Sequence, residues 1–130
     1  VIGVAEASIT GLVPYIYNAK IVRVIDGDTI EVDTDLGDGI WKHKEKIRLY
    51  GVDAPELRGP AKEAGLEAKE WMATKLVPGT MVLIRSIEKP EKFGRRLASM
   101  WVPGDAETIS AQLIKAGLAR SYFGGTHGPA

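Results

Sequence analysis

The acids and arginines of this chain are spaced so that they could do chemistry together. Asp26 and Asp28 flank Gly27 at a turn signal. Asp53 and Glu56 flank Ala54-Pro55 where a strand pattern ends, Arg48 lies on the strand leading into that group, and Arg95 follows Gly94 at the mouth of a later strand. Two acidic groups on neighbouring strand ends can bring three carboxylates close together, and one of them would be driven to take up a proton unless cations intervene. A hard divalent cation such as calcium answers that repulsion, since it accepts carboxylate oxygens, a backbone carbonyl and several waters in flexible geometry. Two arginines exceed what an ion site needs, and their planar forks fit a phosphate bidentately. Carboxylates, a hard metal and two guanidinium groups together point to phosphodiester hydrolysis. Taken singly the signals are weak. Asp-Gly-Asp is most often just a turn, Asp-x-Pro-Glu a capped loop, and an arginine after glycine a solvated charge. The joint occurrence carries the argument.

The elements that must position these groups are readable from periodicity. Lys20–Ile25 is dense in β-branched residues, and Thr29–Asp33 alternates with Ile30 and Val32 inward. Asp35–Gly39 is a polar loop. Lys46–Val52 reads as a third strand with Ile47 and Leu49 on one face, ended by Pro55. Residues 61–76 read as a helix whose stripe is Ala64, Ala68, Trp71, Met72 and Leu76, stopped by Pro78-Gly79. Thr80–Ile87 and Arg96–Val102 are the fourth and fifth strands. A short helix follows over Ile109–Ala116, with Thr108 as N-cap and Gly117 past its end. Five antiparallel strands with a helix between the third and fourth predict an α+β, mainly β fold: the five-stranded OB-fold barrel with a short C-terminal helix, Trp71 and Met72 plugging one end. A different small α+β sheet is the alternative. The expected organisation is an N-terminal arm or extra strand over 1–16, a barrel domain over 17–123 and a flexible tail over 124–130.

Composition bounds the reading. At 130 residues the chain is one domain. With 45% apolar and 26% charged residues it is an ordinary globular sequence, not a disordered, collagen-like or coiled-coil one. It has no cysteine, which removes disulfides, zinc–thiolate sites and thiol nucleophiles and leaves the compartment open, secreted or cytoplasmic. No apolar run reaches the roughly 18 residues of a membrane span. Val1–Tyr17 is mostly apolar without a basic residue. Ala5-Glu6-Ala7 has the form of a leader cleavage site, though an extended arm is the plainer reading. The formal net charge is zero, with −3 on residues 1–65 and +3 on 66–130. Attraction to a polyanion must therefore come from a local basic patch or a metal. Lys42, Lys44 and Lys46 form the best such patch, against a solvated hairpin as the plain reading. His43 reads as a surface residue rather than a general acid or base, and His127 has no role. Trp41 and Trp101 are expected to pack on the barrel. Ser and Thr have no histidine partner at useful spacing, so a hydrolase triad is unsupported.

The residues Val24-Ile25-Asp26-Gly27-Asp28-Thr29, then Ile47-Arg48-Leu49-Tyr50-Gly51-Val52-Asp53-Ala54-Pro55-Glu56, then Lys92-Phe93-Gly94-Arg95 strongly resemble the staphylococcal-nuclease-like (thermonuclease) family. Leu113–Ala119 is similar to that family's short helix and its exit, so the resemblance covers about residues 18–123. It implies the OB barrel and calcium-dependent endonucleolytic cleavage of DNA and RNA at the 5′-oxygen–phosphorus bond, leaving 3′-phosphates. It implies that Asp28 and Asp53 ligate calcium together with the Ala54 carbonyl, and that Asp26 supports the metal site from behind. By the same resemblance Glu56 sits beside the attacking water, Arg48 and Arg95 grip the scissile phosphate, and Lys92 and Phe93 line the nucleotide pocket. Tyr122 is aligned with a nucleotide-stacking tyrosine. The chain departs from the family in carrying Ala54 for threonine and Phe93 for tyrosine, in its neutral charge, and in resembling a branch with a shorter C-terminus. The expected partners are DNA and/or RNA, with no membrane. The protein is expected to be monomeric, with residues 1–17 as a candidate protein contact. Two rival functions remain: a non-catalytic nucleic-acid or protein binding module on the same barrel, and a structural component of a larger assembly docked through that arm.

Overall fold

The computed structural model describes residues 15–90 and 95–123. Among the described residues, seven strands and two α-helices follow in the order β1 (Ile16–Asp26), β2 (Thr29–Gly37), β3 (Ile40–Leu49), β4 (Gly51–Asp53), α1 (Lys62–Lys75), β5 (Met81–Pro90), β6 (Arg96–Trp101), α2 (Ile109–Lys115) and β7 (Arg120–Tyr122), with a 3₁₀ turn over Gly59–Ala61 leading into α1. Five strands close into a barrel in the order β1-β2-β3-β6-β5, which is the expected OB-fold architecture. The expectations for the arm and the tail fall on 1–14 and 124–130, outside the described residues.

β1 is long because it serves two neighbours. Ile16–Lys20 pairs with Met81–Arg85 of β5, and Ala19–Asp26 pairs with β2. Irregularities between Ile21 and Arg23 and between Val24 and Asp26 supply the extra curvature that closure demands. The strands are not all antiparallel as the sequence suggested. β3 and β6 run parallel, Ile47 beside Arg96 and Arg48 beside Leu97, because α1 and β5 lie between them and carry the chain back to the same end.

The barrel interior is filled by the alternating apolar residues read from the sequence. Ile30, Val32, Ile47, Leu49, Val82 and Ile84 are fully or almost fully buried, joined by Ile21, Ala98 and Met100. Met72 and Leu76 of α1 and Ile109 and Leu113 of α2 complete the core. Thr108 caps α2 by accepting a hydrogen bond from the Ala111 N–H at 3.2 Å. Three packing expectations are corrected. Ala64 is exposed, and Gly65 takes its place on a buried face that otherwise keeps Ala68 and Met72 as expected. Trp71 is only half-buried against the core, so Met72 is the plug. Trp41 is 37% exposed on the β2–β3 hairpin rather than packed on the barrel. The third strand also starts at Ile40 and breaks after Leu49, and its continuation as β4 pairs with β7, a ladder the sequence did not signal.

One end of the barrel is polar inside. Glu45 is buried. Its Oε1 accepts from the Thr34 hydroxyl at 2.8 Å and its Oε2 from Arg96 Nε at 2.8 Å, with Lys42 Nζ 3.1 Å away. Burial alone would raise the pKa of Glu45, but these donors outweigh it and hold the carboxyl below its ordinary range. Arg96 in turn lies over the Tyr17 ring, 5.2 Å from its centroid.

Candidate active site

The Asp-Gly-Asp turn is placed by a close approach. A Cβ on Gly27 would lie 2.7 Å from the Ala54 Cβ and 2.9 Å from the Ala68 Cβ, so only glycine lets the β1–β2 turn press against both the segment after β4 and helix α1. That contact delivers Asp28 to the far end of β4, where its Oδ2 accepts the Ala54 N–H at 2.9 Å. Its Oδ1 accepts from the Thr29 hydroxyl at 3.2 Å, and the Asp28 N–H donates to Asp26 Oδ1 at 3.1 Å. Asp26 thus backs the turn that carries Asp28.

Arg48 comes from β3 and is deeply placed, its side chain 11% exposed. Nη1 donates to the Leu49 and Val52 carbonyls, both at 2.7 Å, and so clamps the break between β3 and β4. Nη2 lies 3.5 Å from Asp28 Oδ2 and 3.5 Å from Asp53 Oδ1. Two carboxylates from stretches 25 residues apart therefore converge on one point, with the guanidinium between them rather than opposite them. The β4–β7 ladder sets Arg120 opposite Asp53, and Arg120 Nη2 reaches Asp53 Oδ2 at 3.3 Å. Burial raises Asp28 to a pKa of about 6, aided by the hydrogen bond and charge of Asp26 and opposed by Arg48 and the Ala54 N–H.

Arg95 stands at the start of β6 and lines an open pocket of about 260 Å³ with Ile25, Asp26, Thr29 and Lys46. Thr29 and Asp26 belong to this pocket and to the Asp28 turn at once, so the pocket adjoins the carboxylate pair. Glu56 is exposed and its side chain makes no hydrogen bond or ion pair among the described residues. Its backbone is held from behind, because a Cβ on Gly65 would come within 2.2 Å of the Glu56 carbonyl oxygen. Tyr122 is half-buried on β7 opposite Gly51, and the exposed ring at that end is Phe123, 67% exposed and edge-on to Tyr50 at 5.4 Å. Lys92 and Phe93 lie outside the described residues.

One expectation for the site needs adjustment, and one residue went unread. Two carboxylates converge, not three; among the described residues no group of three or more acidic or histidine side chains gathers closely enough to share an ion. Arg120 was missed, because a three-residue strand carries no periodicity to read. The groups facing the Arg48 head are carboxylate oxygens on both sides, which in kind suit a hard cation completed by water and not a soft one.

A closed OB barrel bearing two convergent aspartates, a partly buried arginine and a second arginine in the adjoining pocket defines a barrel with a polar, phosphate-compatible cleft at one edge. The family model described as Staphylococcal nuclease homologue matches residues 46–128, more than half of the chain. The chain is 35% identical over 107 residues to the thermonuclease of Staphylococcus hyicus, covering 80% of this chain and 59% of that protein. It is 39% identical over 104 residues to the thermonuclease of Staphylococcus intermedius, covering 78% and 57%. Endonuclease YhcR of Bacillus subtilis is 31% identical over 117 residues, which is 82% of this chain and 9% of that protein. The chain belongs to the staphylococcal nuclease homologue family, and it spans somewhat under 60% of the length of the two thermonucleases.

Proposed function

We propose that the chain is a calcium-dependent endonuclease that hydrolyses phosphodiester bonds of DNA and/or RNA to leave 3′-phosphates. The observation that supports this most is the convergence of Asp28 and Asp53 on the Arg48 head beside the Arg95 pocket, in a member of a family whose relatives carry the names thermonuclease and endonuclease. Asp28 and Asp53, with the Ala54 carbonyl, would hold calcium, with Asp26 supporting the turn. When bound, the cation supplies Lewis-acid neutralisation of the phosphodiester. Arg48, from the Nη2 side that faces Asp28 and Asp53, and Arg95 from the pocket would hold the non-bridging oxygens as charge builds on them. Glu56, on the exposed rim, orients the attacking water. The water oxygen bonds to phosphorus, the bond to the 5′-oxygen breaks, and a proton ends on that leaving oxygen. Lys92, Phe93 and Tyr122 would contact the flanking nucleotide. Incubation of plasmid DNA and of RNA with calcium or with chelator tests this. Calcium-dependent nicking with 3′-phosphate ends is expected; intact substrate at high protein concentration would refute it.

A second reading is a binding module without turnover. It is favoured by the commitment of Arg48, whose shortest bonds go to backbone carbonyls and whose other end is occupied by two carboxylates. Salt-sensitive binding of an oligonucleotide with no cleavage in calcium would select it.

A further inference from the structure

The structure separates three lysines that the sequence had grouped. Lys42 is tied to buried Glu45 at 3.1 Å. Lys44 sits in left-handed backbone at φ 54°, with its N–H donated to Asp33 Oδ1 at 2.9 Å. Lys46 alone lines the pocket with Arg95. Its position follows from two ladders. On one side β2 sets Glu31 opposite it, and on the other the parallel pairing of Ile47 with Arg96 sets Arg95 beside it. Glu31 is turned away to Arg23, whose Nε and Nη2 lie 3.3 and 3.5 Å from its two carboxylate oxygens. Among the described residues no ion pair engages the Lys46 ammonium. The one acid in the pocket, Asp26, already accepts the Asp28 N–H.

Lys46 lies two residues before Arg48 on the outward face of β3, a step of roughly 6.6 Å along the strand. That step is comparable with one nucleotide of an extended strand. A strand whose scissile phosphate faces Arg48 and Arg95 would therefore run its next phosphate over Lys46. Ile25 forms an apolar wall in the same pocket. An ammonium is a suitable point charge for a phosphate that must be held but not distorted. We propose that Lys46 binds the backbone phosphate one step from the cleavage position, making the Lys46 side of the pocket a substrate subsite for single-stranded nucleic acid, next to the Arg95 side that faces the scissile phosphate. This rests on the nuclease reading for its position, but its test does not need turnover.

The experiment measures binding of a fluorescently labelled single-stranded DNA oligonucleotide in chelator across a salt series, beside cleavage in calcium. Lys46→Gln is compared with Lys46→Arg and with Lys115→Gln, an exposed lysine on α2 that controls for the change in net charge. Lys46→Gln is expected to weaken binding roughly tenfold at low salt and to lower the salt slope by about 0.7, the loss of one phosphate contact on a single strand. In the cleavage assay it raises KM and leaves kcat within about twofold, since the contact is made equally in ground and transition states. Lys46→Arg keeps the wild-type slope. An unchanged slope, an equal change in Lys115→Gln, or no oligonucleotide binding by the wild type overturns the proposal. Cleavage with an unchanged slope sinks the subsite and leaves the nuclease reading intact. A changed slope without cleavage does the reverse.

Discussion

Arg48 carries two structural duties at once. It closes the β3–β4 break through the Leu49 and Val52 carbonyls and it neutralises Asp28 and Asp53. Arg48→Ala should therefore abolish activity, by at least roughly two orders of magnitude, and also cost about 3 kcal/mol of stability, because two partly buried carboxylates lose their counter-charge. Activity assays paired with thermal unfolding check this; lost activity at full stability would show that the clamp is not structural. Asp28 yields a pH prediction at the same scale. Its folded pKa of about 6 lies above the ordinary 3.8, so the folded protein takes up a proton there first as pH falls. A cation must compete with that proton. Calcium affinity measured by calorimetry should fall about tenfold between pH 7 and pH 5, and equal affinities would contradict the assignment of Asp28 to the ion. Asp28, Asp53 and Arg48 were legible in the sequence because acid–glycine–acid and acid–x–proline–acid patterns mark turns where charge has no packing reason to gather. Arg120 was not, because its partner Asp53 is 67 residues away and nothing local marks the pairing.

The elements were legible where their period was long enough. Thr29–Asp33 and Lys46–Leu49 showed clean alternation, and Thr108 and Gly117 punctuated α2. β7 and the first half of β3 were not legible. The former is three residues long, and the latter reads Ile-Trp-Lys-His-Lys-Glu, a polar run that becomes a strand only because β2 is there to pair with it. Glu45 likewise looks like a surface charge until Thr34 and Arg96 from other strands surround it. In helix α1 the buried Ala68, Met72 and Leu76 were read correctly and only Ala64 was misplaced, Gly65 taking its position on the buried face because of a backbone contact. Gly65 is where the helix seats the Pro55–Glu56 backbone. An alanine there would gain about 1 kcal/mol of helix propensity, but its Cβ would meet the Glu56 carbonyl at 2.2 Å, and backbone cannot yield cheaply. Gly65→Ala should thus lower stability by about 1–3 kcal/mol and displace Glu56, cutting kcat more than it raises KM. A stabilised, fully active variant would show that the segment is not seated on the helix.

At the scale of the whole molecule the charge is balanced, with 17 basic and 17 acidic residues. A neutral protein gains little long-range attraction to a polyanion, so the proposed hold on nucleic acid would depend on the cations gathered at the cleft edge. No helix among the described residues is long and apolar enough to cross a membrane. The barrel's acid response combines opposite signs. Glu45, Asp33 and Asp105 have pKa values held below the ordinary range, so the stability they supply is present above it and is lost as pH falls through their folded values. Asp28, raised to about 6, acts the other way and favours the metal-free fold as pH falls from about 6 toward 3.8. Metal-free stability, followed by urea unfolding, should hold roughly level to about pH 4.5 and then decline, with a shallower decline in Glu45→Gln. A steep loss beginning at pH 6 would contradict the Asp28 assignment.

The account depends on Asp28 and Asp53 acting as one unit. Calcium-dependent cleavage of single-stranded DNA by Asp28→Asn, Asp53→Asn and the double variant tests that directly. Each single change should cost at least roughly a hundredfold, and the double variant should be no more than about tenfold worse than the poorer single, because either change alone breaks the shared site. Losses that multiply in full would mean that the two carboxylates work apart.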